Sequence, residues 1–530
     1  MADAFQLHPN ECADALNVDF DPNGGISRRA PSQTANATAL SSVVPSMWTF
    51  MDQVGSFKQL ICQQGNTISY ATVGSALTFT GSGAAAPWNV ATVGDMFAAT
   101  ANSKCYIMRN AEQTAVSWNG TAGTSITDPH PTYNDNLAAP VGGKFPKAKY
   151  VVRHRNYMFV ANTNEAGTQR GDRVRWSHPF SDLTGQKGVE DWRTNDWLQT
   201  PADGDQITGL ASFNDELLIF KTNSVWALRG YGPESFQLEN VSQVVGAIGQ
   251  KAIAVGDEGV YFFSWPNGLQ LYDGKAVRDL WYPLLPLTDR TMSGTRIDNK
   301  KASATFYANT TVGYVNQRAW VSLTTSGTKN DITFVYDSRL GKGGGWTRYD
   351  LPLGVYAYSH PAGDDRRWYA VCNTVTGDIH QLSNTTLGQT DFIGNVSTPI
   401  ASNVYTRWFD EGNPALIKRW KKPIFVLDSN YTQTLPVSVY RDYDFTNAYR
   451  TFSLIMTTAV LYTWNILATA QWGNGTWTSA VTTGTQVIKK GGLLGRATSV
   501  ALKISGPTAG NQPWAVNSIT LKYLPKRIRS

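Results

Sequence analysis

Between Ile207 and Gly274 the chain carries its clearest alternation of apolar runs and polar turns. Leu217–Phe220 and Ser224–Leu228 flank Lys221-Thr222-Asn223. Val260–Phe263 and Leu269–Tyr272 flank Ser264-Trp265-Pro266-Asn267-Gly268. Runs of four or five residues rich in β-branched and aromatic side chains, bounded by Asn, Gly or Pro, predict hairpin strands. Similar units start at residues 57, 102, 155, 316 and 365, in addition to 214 and 257, so neighbours lie 43 to 59 residues apart. Seven hairpins at about 50 residues match the period of β-propellers, whose blades carry four strands. The rest of each period should hold two more strands, with Ile207–Ser212 and Ile253–Val255 as inner ones. The competing arrangement is stacked sandwiches, which also use many short strands.

The pattern changes at both ends. Ala15–Asp21 alternates apolar and polar residues before Pro22-Asn23-Gly24-Gly25 and Ile26-Ser27-Arg28-Arg29, which predicts a hairpin; Ser32–Ser42 reads as a linker. After the Thr/Asn/Gly-rich stretch Asn384–Pro399, about seven strands are expected in about 125 residues, which suits a sandwich. No window sustains a 3.6-residue apolar period, so no long helix is expected. The reading is an all-β chain: an N-terminal arm and hairpin over 1–45, a β-propeller-like body of six to seven hairpin-containing blades over 46–395, and a C-terminal β-sandwich domain with a basic tail over 400–530.

Composition refines this. Apolar residues make up 42% and aromatics 12% of 530 residues, enough for a sizeable core. Charged residues are only 16%, below the usual quarter. The surface is therefore expected to be rich in Thr, Ser and Asn, or partly covered by partner subunits. The N-terminus lacks the basic start and apolar block of a signal peptide. Thr451–Ile488 contains no charged residue, but Thr, Asn and Gly interrupt it too often for the ~20 apolar residues of a spanning helix. It is the expected subunit contact, and no membrane-spanning segment is expected. Cys12, Cys62, Cys105 and Cys372 have neither metal-ligand spacing nor a disulfide-framework pattern; the last three sit in strand-like runs and are expected as buried thiols.

Candidate chemistry is sparse. No nucleophile-elbow, zinc, Walker or dinucleotide motif is present, and the six histidines are scattered. The expectation is a non-enzyme with no catalytic residue, cofactor or metal. Asp364-Asp365 is a carboxylate pair only in sequence. Tyr336–Trp346 is a loose echo of a sialidase-type Asp box. Trp265, Trp346 and Trp368 would suit a glycan-binding or glycan-cleaving propeller only if exposed. The net charge of +6 is too dilute to argue for nucleic acid by itself. Local clusters are better candidates: Lys522, Lys526, Arg527 and Arg529 in the last nine residues, Lys421 and Lys422 in the run Lys418–Lys422, and Arg28-Arg29. These eight are the expected interaction residues. Arg153, Arg155, Arg170, Arg173 and Arg175 make one unit basic as well.

Three stretches resemble structural tail proteins of tailed bacteriophages: Glu11–Arg29 (ECADALNVDFDPNGGISRR), the hairpin pair LLIFKTNSVWALRG and GVYFFSWPNGLQLYDG, and Arg419–Tyr440 with Leu502–Tyr523. The resemblance implies a tail nozzle or hub with a propeller-like body, located in the virion tail and made in the host cytoplasm. Its partners would be copies of itself in a ring (a hexamer being one order), portal-adaptor proteins, tail fibre or spike proteins, and viral DNA passing along the axis. A minor tail or baseplate hub protein of a long-tailed phage is the alternative placement. No catalytic residue comes with the resemblance.

Overall fold

A computed structural model gives the three-dimensional structure. It describes residues 12–525 apart from 23, 41, 53–57, 66, 74–76, 82–93, 131–132, 136–139, 141, 181–187, 202–203, 290–299, 341–343, 352, 360–366, 373–376, 383–389, 394–395, 429–432, 457–459, 464–477, 482–485 and 508–512. Among these residues the structure is strands, short 3-10 turns and one four-residue α-helix, Leu285–Thr288.

Five of the seven hairpins form the middle pair of a separate four-stranded antiparallel sheet; the sixth has the same place among four strands of a larger sheet, and the seventh lies in a six-stranded sheet. In the fourth blade, Glu216–Lys221 and Val225–Arg229 lie between Ile207–Phe213 and Gln237–Ser242; in the fifth, Val260–Ser264 and Gly268–Tyr272 lie between Ile253–Val255 and Val277–Asp279. The first strands of the blades are Met47–Met51, Met96–Ala101, Ala148–His154, Ile207–Phe213, Ile253–Val255, Thr311–Val315 and Leu353–Ser359. Each touches the next, and the seventh touches the first. The sheets therefore close into a seven-bladed propeller.

The core confirms the closure, because an apolar cluster fills each gap between blades. Phe50 and Ile61 meet Ile107 and Trp118 between blades 1 and 2, while Tyr369, Val371 and Ile379 meet Leu60 and Cys62 between blades 7 and 1. A blade buried on both faces needs a continuous apolar run in its second strand, as in ELLIFK and VYFFS. Cys62, Cys105 and Cys372 are buried as small hydrophobes, and burial pushes the Cys105 thiol up to about 12. Blades approach closely in places: a Cβ on Gly313 would come within 2.3 Å of the Tyr356 ring.

From Cys12 on, the N-terminal segment expected as an arm and hairpin is built into the sheets of both bodies. The hairpin Val18–Phe20/Ile26–Arg28 forms as expected, but it belongs to a five-stranded sheet with Ala515–Thr520, Ile424–Asp428 and Gln486–Lys490. Cys12–Leu16 pairs antiparallel with Asn403–Thr406 and parallel with the last strand of blade 6, where Leu16 faces Arg348. This joins blade 6 and the sandwich in one nine-stranded sheet. The supposed linker holds Gln33–Thr34, which completes blade 7 by pairing with Ile379–Leu382. The stretch read as a domain break adds Asp391–Ile393 and Val396–Thr398 to that blade. A blade edge offers unpaired N–H and C=O groups, and the chain's first strands cover two such edges. The two sandwich sheets enclose Val18, Phe425, Leu435, Val437, Leu502 and Trp514.

Candidate interaction site on the C-terminal sandwich

Three short strands, Lys418–Trp420, Gly495–Ala497 and Tyr523–Pro525, form a small sheet on the sandwich, with Lys418–Trp420 central. Alternation along the central strand divides its side chains. Trp420 is buried and donates through Nε1 to the Ala497 carbonyl (3.3 Å). Lys418 is also buried, and its ammonium donates to the carbonyls of Asn413, Leu416 and Thr498. It is thus a structural cation. Arg419 points the other way and is exposed, directly opposite exposed Arg496 on one side and Leu524 on the other. Like charges directly opposed across strands are unfavourable unless something neutralises them. The Lys421 N–H donates to the Lys522 carbonyl (2.8 Å), which brings two of the expected basic clusters together. Lys421, Lys422 and Lys522 are exposed. Among the described residues no carboxylate forms an ion pair with Arg419, Lys421, Lys422, Arg496 or Lys522. The chain then continues from Pro525 into Lys526, Arg527 and Arg529, which lie outside the described residues.

Arg28 and Arg29 do not belong to this face; both are buried. Arg29 holds Asp391 with two nitrogens and donates through Nε to Asn17 Oδ1 (2.8 Å). Burial opposes its charge, and the Asp391 carboxylate more than offsets that, so its pKa ends above the ordinary value. Their expected surface role is therefore corrected: both side chains are buried, and that of Arg29 lies in the seam between the two bodies. Arg496, which the sequence reading missed, joins the site through strand pairing alone.

The other candidates are placed as follows. Arg173 and Arg175 share one carboxylate, Glu165 (2.6 and 2.9 Å), and stack on Trp197 and Tyr133, while Arg155 pairs with Asp215 (3.1 Å), so these three arginines are engaged within the fold. Burial works against the Glu165 charge, but Arg175 and Arg173 outweigh it and hold the carboxyl below its usual range. Trp265 is half-buried and stacked on Tyr307; Trp346 donates to the Leu280 carbonyl (3.1 Å); Trp368 packs on the core between blades 6 and 7. None of the three is an exposed sugar platform. In the Tyr336–Trp346 turn, Asp337 is taken by Arg318 and Arg339. Asp364 and Asp365 lie outside the described residues. Among the described residues no group of three or more His, Cys, Asp and Glu could hold a metal ion, and no helix is long and apolar enough to cross a membrane. The segment Thr451–Ile488 is described only in part; its exposed Ile455 and Ile488 lie on the outermost strands of the two sandwich sheets.

Among the described residues a histidine meets a hydroxyl where His154 lies 2.8 Å from Ser212 between blades 3 and 4, but His154 is only 3% exposed. Burial, aided by Arg155, lowers the imidazole pKa to about 4 from 6.5. The unfolded chain then binds more protons than the folded one between these values. Stability is expected to fall as pH drops from about 6.5 towards about 4, by on the order of 2 kcal/mol after solvent screening. Comparing unfolding curves of the protein and His154→Gln at pH 7.5 and 4.5 checks this: the difference in slope should vanish if His154 does not titrate.

No family model matches the sequence, and no curated protein is similar to it. Solved structures that are similar include virginiamycin B lyase from Staphylococcus aureus (11% identity, TM-score 0.40, covering 67% of this chain and 99% of that one). They also include the Myceliophthora thermophila Cps50 (Swd1) β-propeller domain (10%, 0.38, 67% and 100%) and the Neurospora crassa Pan2 WD40 domain (8%, 0.38, 67% and 96%). At these values the likeness carries no argument about activity; the propeller is read from this chain's own sheets.

Proposed function

We propose that the protein is a structural, non-enzymatic component of a phage tail, a nozzle or hub subunit that assembles with copies of itself below the portal-adaptor proteins and carries fibres. The observation that supports it most is the join between the two bodies. Propeller and sandwich share a nine-stranded sheet, and the strand that joins them, Cys12–Leu16, belongs to Glu11–Arg29, one of the stretches that resemble tail proteins. A part that must keep its shape while linking neighbours gains from such a continuous sheet. The exposed, unpaired basic face supplies a contact surface beyond the core's needs. Negative-stain images of virions and of purified protein test the reading. Ring-shaped particles and a tail-located density are expected; a monomer absent from virions would overturn it. Density at a baseplate would place it in the hub of a long-tailed phage.

A further inference from the structure

Charge is divided unequally between the two bodies. Residues 400–530 hold fifteen Lys and Arg against five Asp and Glu, a net +10 within a chain of +6, so the first 399 residues carry −4. The positive excess is concentrated where Arg419 faces Arg496 beside Lys421 and Lys522, with Leu524 exposed among them. A second surface complements it. The turn Gly256–Gly259, between Ile253–Val255 and Val260–Ser264 of blade 5, presents exposed Asp257 and Glu258. Both carboxylates accept only from tyrosine hydroxyls, Tyr314 (3.2 Å) and Tyr261 (3.4 Å), and neither has an ion pair among the described residues. Val255, exposed beside them, gives this turn an apolar contact as well.

We propose that the Arg419–Arg496 face of one copy docks on the Asp257-Glu258 turn of the next, a head-to-tail contact that builds the ring. The inference rests on the proposed ring assembly and specifies which surfaces make it. The two patches differ, so the contact is heterologous and repeats until rotation closes it. Carboxylates between Arg419 and Arg496 relieve the cross-strand repulsion that the isolated chain retains. Leu524 and Val255 supply apolar area at the centre, and the charges set partner choice and register.

The experiment measures mass distributions of the full-length protein against concentration and salt for three chains: the unmodified protein, Asp257→Lys/Glu258→Lys, and Arg419→Glu/Arg496→Glu. All four positions are exposed, so the variants should keep the melting temperature of the parent. Each variant alone is expected to raise the dissociation constant at least about tenfold, and a one-to-one mixture of the two to restore association, since each reversed face then meets a complementary one. Salt should dissolve the parent assembly. Assembly insensitive to both reversals would overturn this contact and leave the ring reading standing. No association of the parent at any concentration would overturn the ring reading itself. Loss with the arginine reversals alone, together with a salt-sensitive shift of duplex DNA by the parent, would assign the basic face to nucleic acid and overturn the proposal.

Discussion

Asp391→Ala is expected to lower the unfolding free energy by about 3 kcal/mol, the low end of the usual cost of breaking a buried ion pair, because Arg29 keeps a second, largely exposed carboxylate, Asp350, at 3.5 Å. Arg29 is 1% exposed and Asp391 5%, so water cannot replace the lost carboxylate. Asp391 also accepts from the Ser32 N–H (2.9 Å), and Arg29 leans on Asn17, whose Nδ2 donates to the Ala401 carbonyl (2.6 Å). One carboxylate therefore ties the start of the chain to blade 7, and its neighbour Asn17 ties it to the sandwich. The measurement is the fall of the first unfolding transition in denaturant. The double variant Arg29→Met/Asp391→Leu should recover most of the loss, because it leaves no orphaned charge. A single-variant loss under about 1 kcal/mol would mean that solvent or the neighbouring Asp350 takes over from Asp391.

Gly268→Ala is expected to be as damaging, at about 3 kcal/mol or more. Gly268 has φ +81°, a left-handed conformation that costs a side-chain-bearing residue about 1–2 kcal/mol. A Cβ there would also lie 1.9 Å from Trp281 Cγ. Trp281 cannot yield easily: it is fully buried and packed edge-on against Phe263, Phe334 and Trp346 between blades 5 and 6. Overpacking of this kind adds about 1–3 kcal/mol. Gly24→Ala is the control. Its φ is +102° but nothing lies within 4 Å of the added Cβ, so only the backbone strain should appear. Equal melting shifts for the two variants would show that packing against Trp281 does not matter.

The blade hairpins were legible because their second strands are buried on both faces and carry unbroken apolar runs. The first and fourth strands were mostly illegible. Gly123–Ser125, Gln237–Ser242 and Val277–Asp279 are short or exposed and show no pattern above background. Of the basic site, Lys421, Lys422 and Lys522 stood out as charge runs. Arg419 was read only as part of one, and Arg496 is a lone cation in GLLGRATS that acquires meaning opposite Arg419. Arg28 and Arg29 misled for the converse reason: a pair of arginines beside a predicted turn looks like surface until the distant Asp391 is placed against Arg29.

By itself, then, the sequence determined the repeating unit, its number to within one, the all-β class and the presence of a second β body. These follow from local periodicity and burial, which composition records residue by residue. Only the tertiary structure decided that the ring closes at seven, that the first strands of the chain complete blade 7 and fuse blade 6 to the sandwich, and which cations meet on one face. Those outcomes depend on pairings such as Leu16 with Arg348 and Arg29 with Asp391, hundreds of residues apart, where hydrogen bonding and charge select partners without leaving a local pattern.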